Sequence, residues 1–477
     1  MRVVSCYGRG IGAAAVAAYL CACNASGGST ASPALPLVNP ATVAAPPQLE
    51  GRPTSSSKIK HVVIIVQENR SFNDLFYGYR GAKTYRYGYD TNGNKIKLLP
   101  IGLETTWDID HSSSAFFAAC NGTGSIPGTN CKMNGFNKEY VGCGSNCPIP
   151  HPQYAYVPRT ETEPYFDMAQ QYVLADHTFQ TQGSGSFTAH QDLIAGGTDL
   201  SSTEALIDTP SYFPWGCDGN PQHLVTAVIK RGGKVYEYGG PFPCLTYSTL
   251  RDLLDAKSVS WKFYAVRVYP YTNCPKCQGA GIWSAFDAIK AVRYSSEWKD
   301  NVTRSPSDIF TDISNKSLPA VAWITPNGPD SDHPASGSDT GPSWVASIVN
   351  AVGKSSYWDS TAVVILWDDW GGFYDHVAPP EPRNWQGGPG FRVPMLIVSP
   401  YVKPHVEHTQ YEFGSILRFI EDNWSLGTLG KNDADSRSIG NAFDFDMKPR
   451  AFKVIPSKYP SVFFLHRPPS DVPLDTE

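Results

Sequence analysis

Two adjacent carboxylates, Asp368 and Asp369, follow directly after an apolar run, AVVILW, that is typical of a buried strand. If both acids ionised in a partly buried place they would repel each other, and a bound cation resolves that repulsion. A Gly-Gly pair comes next and could fold Asp375 and His376 back toward the same point, where an imidazole could bind a metal. A solvated acidic loop is the alternative interpretation. The stretch WDDWGGFYDH is therefore a candidate cation site.

A second polar pair, Glu68 and Asn69, follows the apolar run HVVIIV. Carboxylate and amide oxygens are both hard ligands of the kind that divalent cations prefer. In parallel α/β sheets, ligands gather at the carboxyl ends of the strands, which is where this pair would lie. Taken alone, the pair could also be an ordinary helix start, with Asn69 as the cap and Glu68 in solvent.

The stretch GSGSFTAHQDLIAGG contains candidate nucleophiles. Small residues precede a segment that could begin a helix, so backbone N–H groups there would point at an anion. A hydroxyl in that position can attack once a metal lowers its pKa, and Ser184, Ser186 and Thr188 all qualify. The chain has no GxSxG elbow around them, which argues against an ordinary serine esterase. His190 stands four residues after Ser186 and would share its face on a helix.

Two further histidines lie in polar surroundings. His111 ends the motif WDIDH, and His333 lies in PDSDHP after a predicted strand. A lone histidine is more often structural than catalytic, but His333 again follows a strand end. The remaining histidines have no comparable context and are assigned no role: His61, His151, His177, His223, His405, His408 and His466. Convergence of acids, an amide, histidines and a hydroxyl is what a site requires, and it predicts metal-assisted displacement at phosphorus.

Apolar runs and helical patterns indicate the elements that must position these residues. Continuous β-branched runs favour parallel strands covered on both faces, and helices between them favour a layered α/β fold. The predicted strands are residues 61–66, 320–324, 362–367 and 395–398. The predicted helices are residues 249–256, 344–352 and 414–424. The irregular stretch 112–158 holds four cysteines and is predicted to be a functional loop or a stapled insertion.

The first residues of the chain suggest an exported protein. Residues 1–23 have two early arginines and a short apolar run, which is typical of a secretory signal. LCAC also fits a lipoprotein cleavage site, so simple cleavage and a membrane tether through lipidated Cys23 both stay open. Residues 24–57 are predicted to be a flexible Pro/Ser/Ala tether and 58–477 the catalytic domain. The net charge of -5, with no basic block, gives no indication of nucleic-acid binding.

Eight cysteines beyond Cys23 favour disulfides in an exported chain, because their number is even. They are Cys120, Cys131, Cys143, Cys147, Cys217, Cys244, Cys274 and Cys277. Two of them form CPKC, which we interpret as structural because no second CxxC completes a zinc site. The sequence does not determine the pairing.

The motifs carry a family resemblance. The chain resembles the bacterial phosphoesterase family that contains the respiratory-burst-inhibiting acid phosphatases and the non-zinc phospholipases C. Its matching segments, in the family's order, are HVVIIVQENRSFNDLFYGY, DIDH with NGF after it, SFTAHQDLIAG, SDHP, ILWDDWGGFYDHVAPP and HTQYEFGSILRFIEDNW. They span residues 58–445, and the first and fifth are the most specific.

The resemblance implies an alkaline-phosphatase-like, three-layer α/β/α sheet with disulfide-stapled loop insertions. It also implies a covalent phospho-enzyme route with one divalent metal ion and Ser186, rather than Ser184 or Thr188, as the nucleophile. The implied metal ligands are Glu68, Asn69, Asp368, Asp369 and Ser186. The side chains implied to hold phosphoryl oxygens or protonate the leaving group are His111, His333 and His376.

The chain departs from the family at three positions. Asn73 stands where relatives often have Asp, and Thr188 stands where Pro is frequent. Asp369 replaces a Glu that some relatives have, which could alter the metal preference.

We expect a small phosphate ester or a phospholipid headgroup as substrate, as for an acid phosphatase or phospholipase C. A sulfate-ester or phosphodiester hydrolase, or a catalytically silent surface binding protein, is the alternative. The expected location is the periplasm, the outer membrane as a lipoprotein, or the medium.

Overall fold

A seven-stranded sheet organises the chain in the computed structural model, which describes residues 58–124, 130–210, 215–268, 283–381 and 388–467. Its strands form where the sequence has continuous apolar runs, and all seven residues of Thr361–Trp367 are buried. Successive side chains of a strand point to opposite faces of the sheet, so burial of all seven means that other layers cover both faces.

The strands are β1 His61–Gln67, β2 Tyr87–Tyr89, β3 Lys95–Lys97, β4 Leu99–Pro100, β5 Ala155–Tyr156, β6 Val173–Ala175, β7 Asp199–Ser201, β8 Glu204–Pro210, β9 Val225–Arg231, β10 Lys234–Gly239, β11 Trp261–Tyr264, β12 Val321–Ile324, β13 Thr361–Trp367, β14 Met395–Val398 and β15 His405–Glu407. The α-helices are α1 Phe72–Leu75, α2 Ser113–Cys120, α3 Glu163–Gln171, α4 Ser186–Ala195, α5 Leu250–Ala256, α6 Lys290–Arg293, α7 Glu297–Asp300, α8 Asp308–Ser314, α9 Gly341–Gly353, α10 Phe413–Trp424, α11 Asn432–Asp435 and α12 Ser461–His466. Every strand and helix predicted from sequence is present, with ends that differ by a few residues.

The order of the main sheet is β11-β12-β1-β13-β14-β6-β15. Strand β1 runs parallel to both β12 and β13. The expectation that residues 395–398 form a parallel strand was wrong, because β14 runs antiparallel to β13 and to β6. An unbroken apolar run reports burial on both faces, and β14 is fully buried, but the run does not report strand direction. Since β6 therefore runs in the direction of β13, the carboxyl ends of β1, β6, β12, β13 and β15 lie at one edge.

Helices cover opposite faces of this sheet. Trp323, which pairs with Ile64, donates from its indole nitrogen to the carbonyl of Leu193 in α4 at 3.2 Å. Gln67, three positions after Ile64, donates to the hydroxyl of Tyr165 in α3 at 3.3 Å. Side chains alternate along a strand, so an odd separation puts α3 and α4 on different faces. The predicted three-layer α/β/α arrangement is confirmed.

Loop segments carry the disulfides. Cys120, the last residue of α2, is joined to Cys131, and Cys143 is joined to Cys147 in the irregular stretch between α2 and β5, which confirms a stapled insertion there. Cys217–Cys244 joins segments that flank β9 and β10, part of an antiparallel four-stranded sheet in the order β10-β9-β8-β7. The CPKC motif and residues 1–57, with the expected signal and tether, lie outside the described residues.

No helix among the described residues is long and apolar enough to cross a membrane.

Candidate active site

The neighbouring strands β1 and β13 bring the two polar pairs together. Asp368 N donates to the carbonyl of Gln67 at 3.0 Å, which continues the pairing of the strands, and Asn69 N donates to Asp368 Oδ1 at 3.1 Å. Asn69 has a φ of 57°, in the left-handed region that Asn tolerates better than most residues. Glu68, Asn69 and Asp368 are fully buried. The prediction that the strand ends would bring these residues together agrees with this geometry.

A glycine turn fixes the acids against β1. Gly371 has a φ of +60°, and a Cβ there would lie 2.0 Å from the carbonyl oxygen of Asn69. A Cβ on Gly372, with a φ of +73°, would lie 2.3 Å from Ile109 Cγ2. Only glycine allows this approach. The turn is closed by Gly371 N, which donates to Asp369 Oδ1 at 2.8 Å.

Helix α4 supplies a hydroxyl to the acids. Ser186 is its first residue, and Ser186 Oγ donates to Asp369 Oδ2 at 2.9 Å. The other two candidates are engaged elsewhere, because Ser184 Oγ bonds to the carbonyl of Ile207 and Thr188 Oγ1 to that of Gly185. Of the three hydroxyls, the structure places that of Ser186 at the acids.

One turn further along α4, His190 enters the same cluster. Its Nε2 lies 3.0 Å from Glu68 Oε1 and 3.6 Å from Asp368 Oδ2. The sequence analysis noted its four-residue spacing from Ser186 but assigned it no role. That spacing was the available signal, because it places both side chains on one face of a helix.

His111 holds the amide of Asn69. Its Nε2 lies 2.7 Å from Asn69 Nδ2, and its Nδ1 lies 2.7 Å from the carbonyl oxygen of Ile109. A carbonyl oxygen can only accept, so Nδ1 of His111 donates to Ile109. Nε2 of His111 lies 3.9 Å from Asp369 Oδ2.

His333 lies beside His111, with the two ring centres 6.3 Å apart. Its Nδ1 bonds to the carbonyl of Pro334, and its Nε2 lies 3.8 Å from Asp108 Oδ2. Asp108, which the sequence analysis did not single out, therefore shares a small group with the two histidines. It stands three residues before His111 in the motif WDIDH.

His376 makes different contacts. Its ring stacks on Tyr85 at 4.0 Å, and burial lowers its pKa to about 4, which leaves it neutral near pH 7. The Gly-Gly turn does not return Asp375 to the metal cluster as expected. A buried guanidinium takes that carboxylate, with Arg392 Nε at 2.9 Å and Nη2 at 3.0 Å, and Asn73 N donates to it at 3.1 Å.

The cluster of Glu68, His190, Asp368, Asp369 and Ser186 fits a divalent cation. Glu68, His190 and Asp368 each offer one ligand atom within 4.8 Å of the others, and all three are buried. Asp368 Oδ2 is buried without a hydrogen-bond donor among the described residues. Three buried carboxylates facing one imidazole are costly unless further positive charge joins them. Oxygen atoms dominate this ligand set, which favours a hard or borderline ion.

Comparison with known proteins gives three likenesses. A model of the Phosphoesterase family matches residues 59–427. Phospholipase C B of Mycobacterium tuberculosis is 25% identical over 468 residues, which cover 84% of this chain and 80% of that protein. Non-hemolytic phospholipase C of Pseudomonas aeruginosa is 24% identical over 416 residues, which cover 77% of this chain and 54% of that protein.

Among solved structures, a protein in the alkaline phosphatase superfamily from Vibrio parahaemolyticus is 11% identical, with a TM-score of 0.36 over 80% of this chain and 72% of that chain. The stretch matched by the family model, 59–427, includes every residue of the cluster.

Proposed function

The chain belongs to the Phosphoesterase family and is a hydrolase acting on phosphoester bonds, and we propose that it works through a phosphoserine formed on Ser186 with one divalent metal ion. The observation that carries the proposal is the 2.9 Å hydrogen bond from Ser186 Oγ to Asp369 Oδ2 at the buried start of α4. It aligns a hydroxyl with an acceptor for its proton, next to a cluster that fits a cation. Glu68, Asn69, Asp368, Asp369 and Ser186 are the proposed ligands, and His190 joins them.

The proposed reaction has two displacements at phosphorus. Ser186 Oγ attacks phosphorus, its proton passes to Asp369, and the bond from phosphorus to the leaving oxygen breaks as that oxygen takes a proton. Water then attacks the phosphoserine and gives a proton to the group that protonated the leaving oxygen, while the bond to Ser186 Oγ breaks and Asp369 returns its proton to that oxygen. Inorganic phosphate, or a phosphorylated headgroup from a diester, is released. A divalent metal ion held by this cluster would supply positive charge that lowers the pKa of the hydroxyl and stabilises negative charge on the phosphoryl oxygens.

Backbone N–H groups and imidazoles can stabilise the negative charge that develops on the phosphoryl and leaving oxygens. The first N–H groups of α4 point toward the end where Ser186 lies, so they favour a phosphoryl anion there. We propose His333 as the proton donor to the leaving oxygen, because its Nδ1 bonds to the carbonyl of Pro334 and its Nε2 lies 3.8 Å from Asp108 Oδ2, beside His111. His111 orients Asn69, and its Nε2 is engaged by the amide in this state.

His376 keeps a narrower proposed role. The lowered pKa leaves its ring unprotonated near neutral pH, so it is not a reservoir of protons there. As a neutral ring it can still donate one N–H to an oxygen of the substrate. Its position on Tyr85, apart from the contacts of the metal cluster, makes it a group for the distal part of a bound substrate.

The proposed substrate is a small phosphate ester or a phospholipid headgroup. The two relatives that are named phospholipases C support the second, and the family match supports both. A sulfate ester places a similar tetrahedral anion at the same point and remains the alternative, as does a phosphodiester without lipid. A silent binding protein would have lost the nucleophile or a ligand, and the described site has each of them. Parallel assays on phosphatidylcholine, an aryl phosphate and an aryl sulfate separate these substrates.

Export is also proposed. Three disulfides support an oxidising compartment, in keeping with a signal at residues 1–23, a tether at 24–57 and a catalytic domain at 58–477. Mass spectrometry of the mature N-terminus would distinguish simple cleavage from lipidation at Cys23. A mature chain that still begins at Met1 would contradict export through this segment.

Replacing Ser186→Ala tests the nucleophile. We expect hydrolysis of an aryl phosphate to fall by about 1,000-fold or more, because the covalent route is closed. Ser184→Ala is the matched control, since that hydroxyl bonds to Ile207, and it should retain most of the activity. A phosphate adduct mapped by mass spectrometry to the peptide containing Ser186 would support the proposal. Full activity of Ser186→Ala, or an adduct elsewhere, would contradict it.

A further inference from the structure

A second polar cluster lies at the same edge of the sheet, where β6 and β15 end. These strands are parallel, with Ala175 paired to Glu407, and Asp176 N donates to the carbonyl of Glu407 at 3.0 Å. The next rung of the pairing therefore brings Asp176 and His408 side by side. Neither residue contributes to the site proposed above.

Two imidazoles converge on one oxygen in this cluster. Asp176 Oδ1 lies 2.7 Å from His177 Nδ1 and 2.8 Å from His408 Nδ1. All three residues offer ligand atoms within 4.8 Å of one another. The carboxylate of Asp176 is buried, whereas the side chain of His177 is 15% exposed and that of His408 is 55% exposed. An ion could thus reach the cluster from solvent without passing the active site.

We propose that Asp176, His177 and His408 form a second cation site, which binds a borderline transition-metal ion such as Zn²⁺. Imidazole nitrogens with one carboxylate suit such an ion, and water would take the remaining position. Bonds of about 2.0–2.1 Å in tetrahedral geometry separate the ligand atoms by about 3.3 Å. Each nitrogen needs to move from the carboxylate by only about half an ångström, which a side-chain rotation supplies.

The other contacts of the cluster leave the shared oxygen to the two imidazoles. Lys83 N donates to the second carboxylate oxygen, Asp176 Oδ2, at 2.9 Å. Two positive charges lie nearby. Arg392 Nη1 donates to the carbonyl of Asp176 at 2.7 Å, but Asp375 pairs with this guanidinium. Lys83 Nζ lies 3.2 Å from His177 Nε2. This lysine is on the surface, and its flexible side chain can turn into solvent when an ion binds.

Bound metal would also have a structural effect. In the sheet, β15 is an edge strand whose one neighbour is β6. An ion shared by Asp176 and His408 would tie the ends of these two strands together. Because such an ion binds the folded chain only, the melting temperature would rise as the metal concentration exceeds the dissociation constant of the site.

Zinc titration followed by calorimetry tests the site. All variants in this titration are made in a background, called the parent, that carries Asp368→Asn. This substitution removes one carboxylate from the catalytic cluster, so that cluster competes less for zinc with the second site. We expect the parent to bind zinc at this site, and added His408→Gln to weaken that binding by about 10-fold or more. His466→Gln, on an exposed helix end, is the matched control and should bind zinc as the parent does. Zinc should also raise the melting temperature of the parent more than that of the His408→Gln variant.

The outcomes separate this site from the proposed function. Equal zinc affinity in the parent and the His408→Gln variant would overturn the site and leave a simple hydrogen-bonded cluster. Binding of Ca²⁺ as tight as that of Zn²⁺ would overturn its ligand chemistry. Without Asp368→Asn, the His408→Gln variant should hydrolyse an aryl phosphate at the wild-type rate. If wild-type protein lacks that activity but the zinc difference persists, the proposed function fails and the second site stands.

Discussion

His190 Nε2 lies 3.0 Å from Glu68 Oε1, although the two residues are 122 positions apart in the chain. His190 belongs to α4, which also begins with Ser186, and Glu68 follows β1. One helix therefore carries both the proposed nucleophile and the imidazole that contacts two of the acids. A rotation of α4 would move Ser186 and His190 together relative to the strand ends.

His190→Gln should lower both metal content and catalysis. The variant removes an imidazole next to Glu68 and Asp368 and leaves their carboxylates less well compensated. We expect a loss of about 10–100-fold in metal affinity and in kcat/KM on an aryl phosphate. Elemental analysis and steady-state kinetics measure the two effects. His61→Gln, whose ring bonds to the carbonyl of Pro319, is the control and should change neither. Unchanged metal content in His190→Gln would remove His190 from the ligand set.

Gly371→Ala should destabilise the protein and disturb the acid pair. A Cβ at this position would lie 2.0 Å from Asn69 O, in addition to the strain of a φ of +60°. Gly78→Ala separates the two effects, since Gly78 has a φ of +74° and nothing within 4 Å of its added Cβ. We expect Gly78→Ala to cost about 1 kcal/mol of unfolding free energy and Gly371→Ala at least about 3 kcal/mol. Urea unfolding measures both, and equal losses would show that the contact with Asn69 is unimportant.

Removing the disulfide Cys120–Cys131 should cost more stability than removing Cys143–Cys147. The first pair closes a sequence separation of 11 and the second a separation of 4. The chain-entropy relation then gives losses of about 3 and about 2 kcal/mol for the double alanine variants. Removing Cys120–Cys131 should also lower activity. Cys120 ends α2, and Phe116 of this helix packs against Gly183, which lies three residues before Ser186. Unfolding curves with parallel kinetics test this order, and the reverse order would contradict it.

His376 should make stability fall as the solution is acidified. Burial lowers the pKa of this ring from 6.5 to about 4, so below pH 6.5 the unfolded chain takes up a proton that the folded chain still excludes. The stability contributed by the neutral ring is present above pH 6.5 and is lost as the pH falls to about 4. The loss reaches at most about 3 kcal/mol. The His376→Gln variant has no ring to protonate at this position. The difference in unfolding free energy between the variant and wild type should therefore change between pH 6.5 and about 4. A constant difference would contradict the lowered pKa.

The main sheet, and the meeting of polar residues at its edge, could be predicted because their signals are local. Unbroken apolar runs mark buried strands, and polar residues just after β1 and β13 mark the edge where they meet. The family resemblance distinguished Ser186 from Ser184 and Thr188, which spacing alone did not. That the chain is a hydrolase of phosphoester bonds is confirmed by the family match.

What the sequence could not provide depends on long-range partners. The direction of β14 follows from the path of the chain between strands, and no residue in MLIV encodes it. The capture of Asp375 by Arg392 requires knowing that a guanidinium is buried 17 positions away. His190 had a helical spacing to Ser186, but its partner Glu68 came from a different strand. The disulfide pairing likewise emerged only with the folded loops.

Strand β1 is the first strand among the described residues, yet it lies between β12 and β13, and Asn69 bonds to Asp368 across 299 positions. A nascent chain that has not yet produced β12 and β13 cannot complete the central sheet, whatever local helices have formed. Long-range pairing of this kind is slow, because the loop must close before its contacts stabilise it. Folding of the active centre is therefore a late event, and a truncated chain that ends before β13 should have no hydrolytic activity at all.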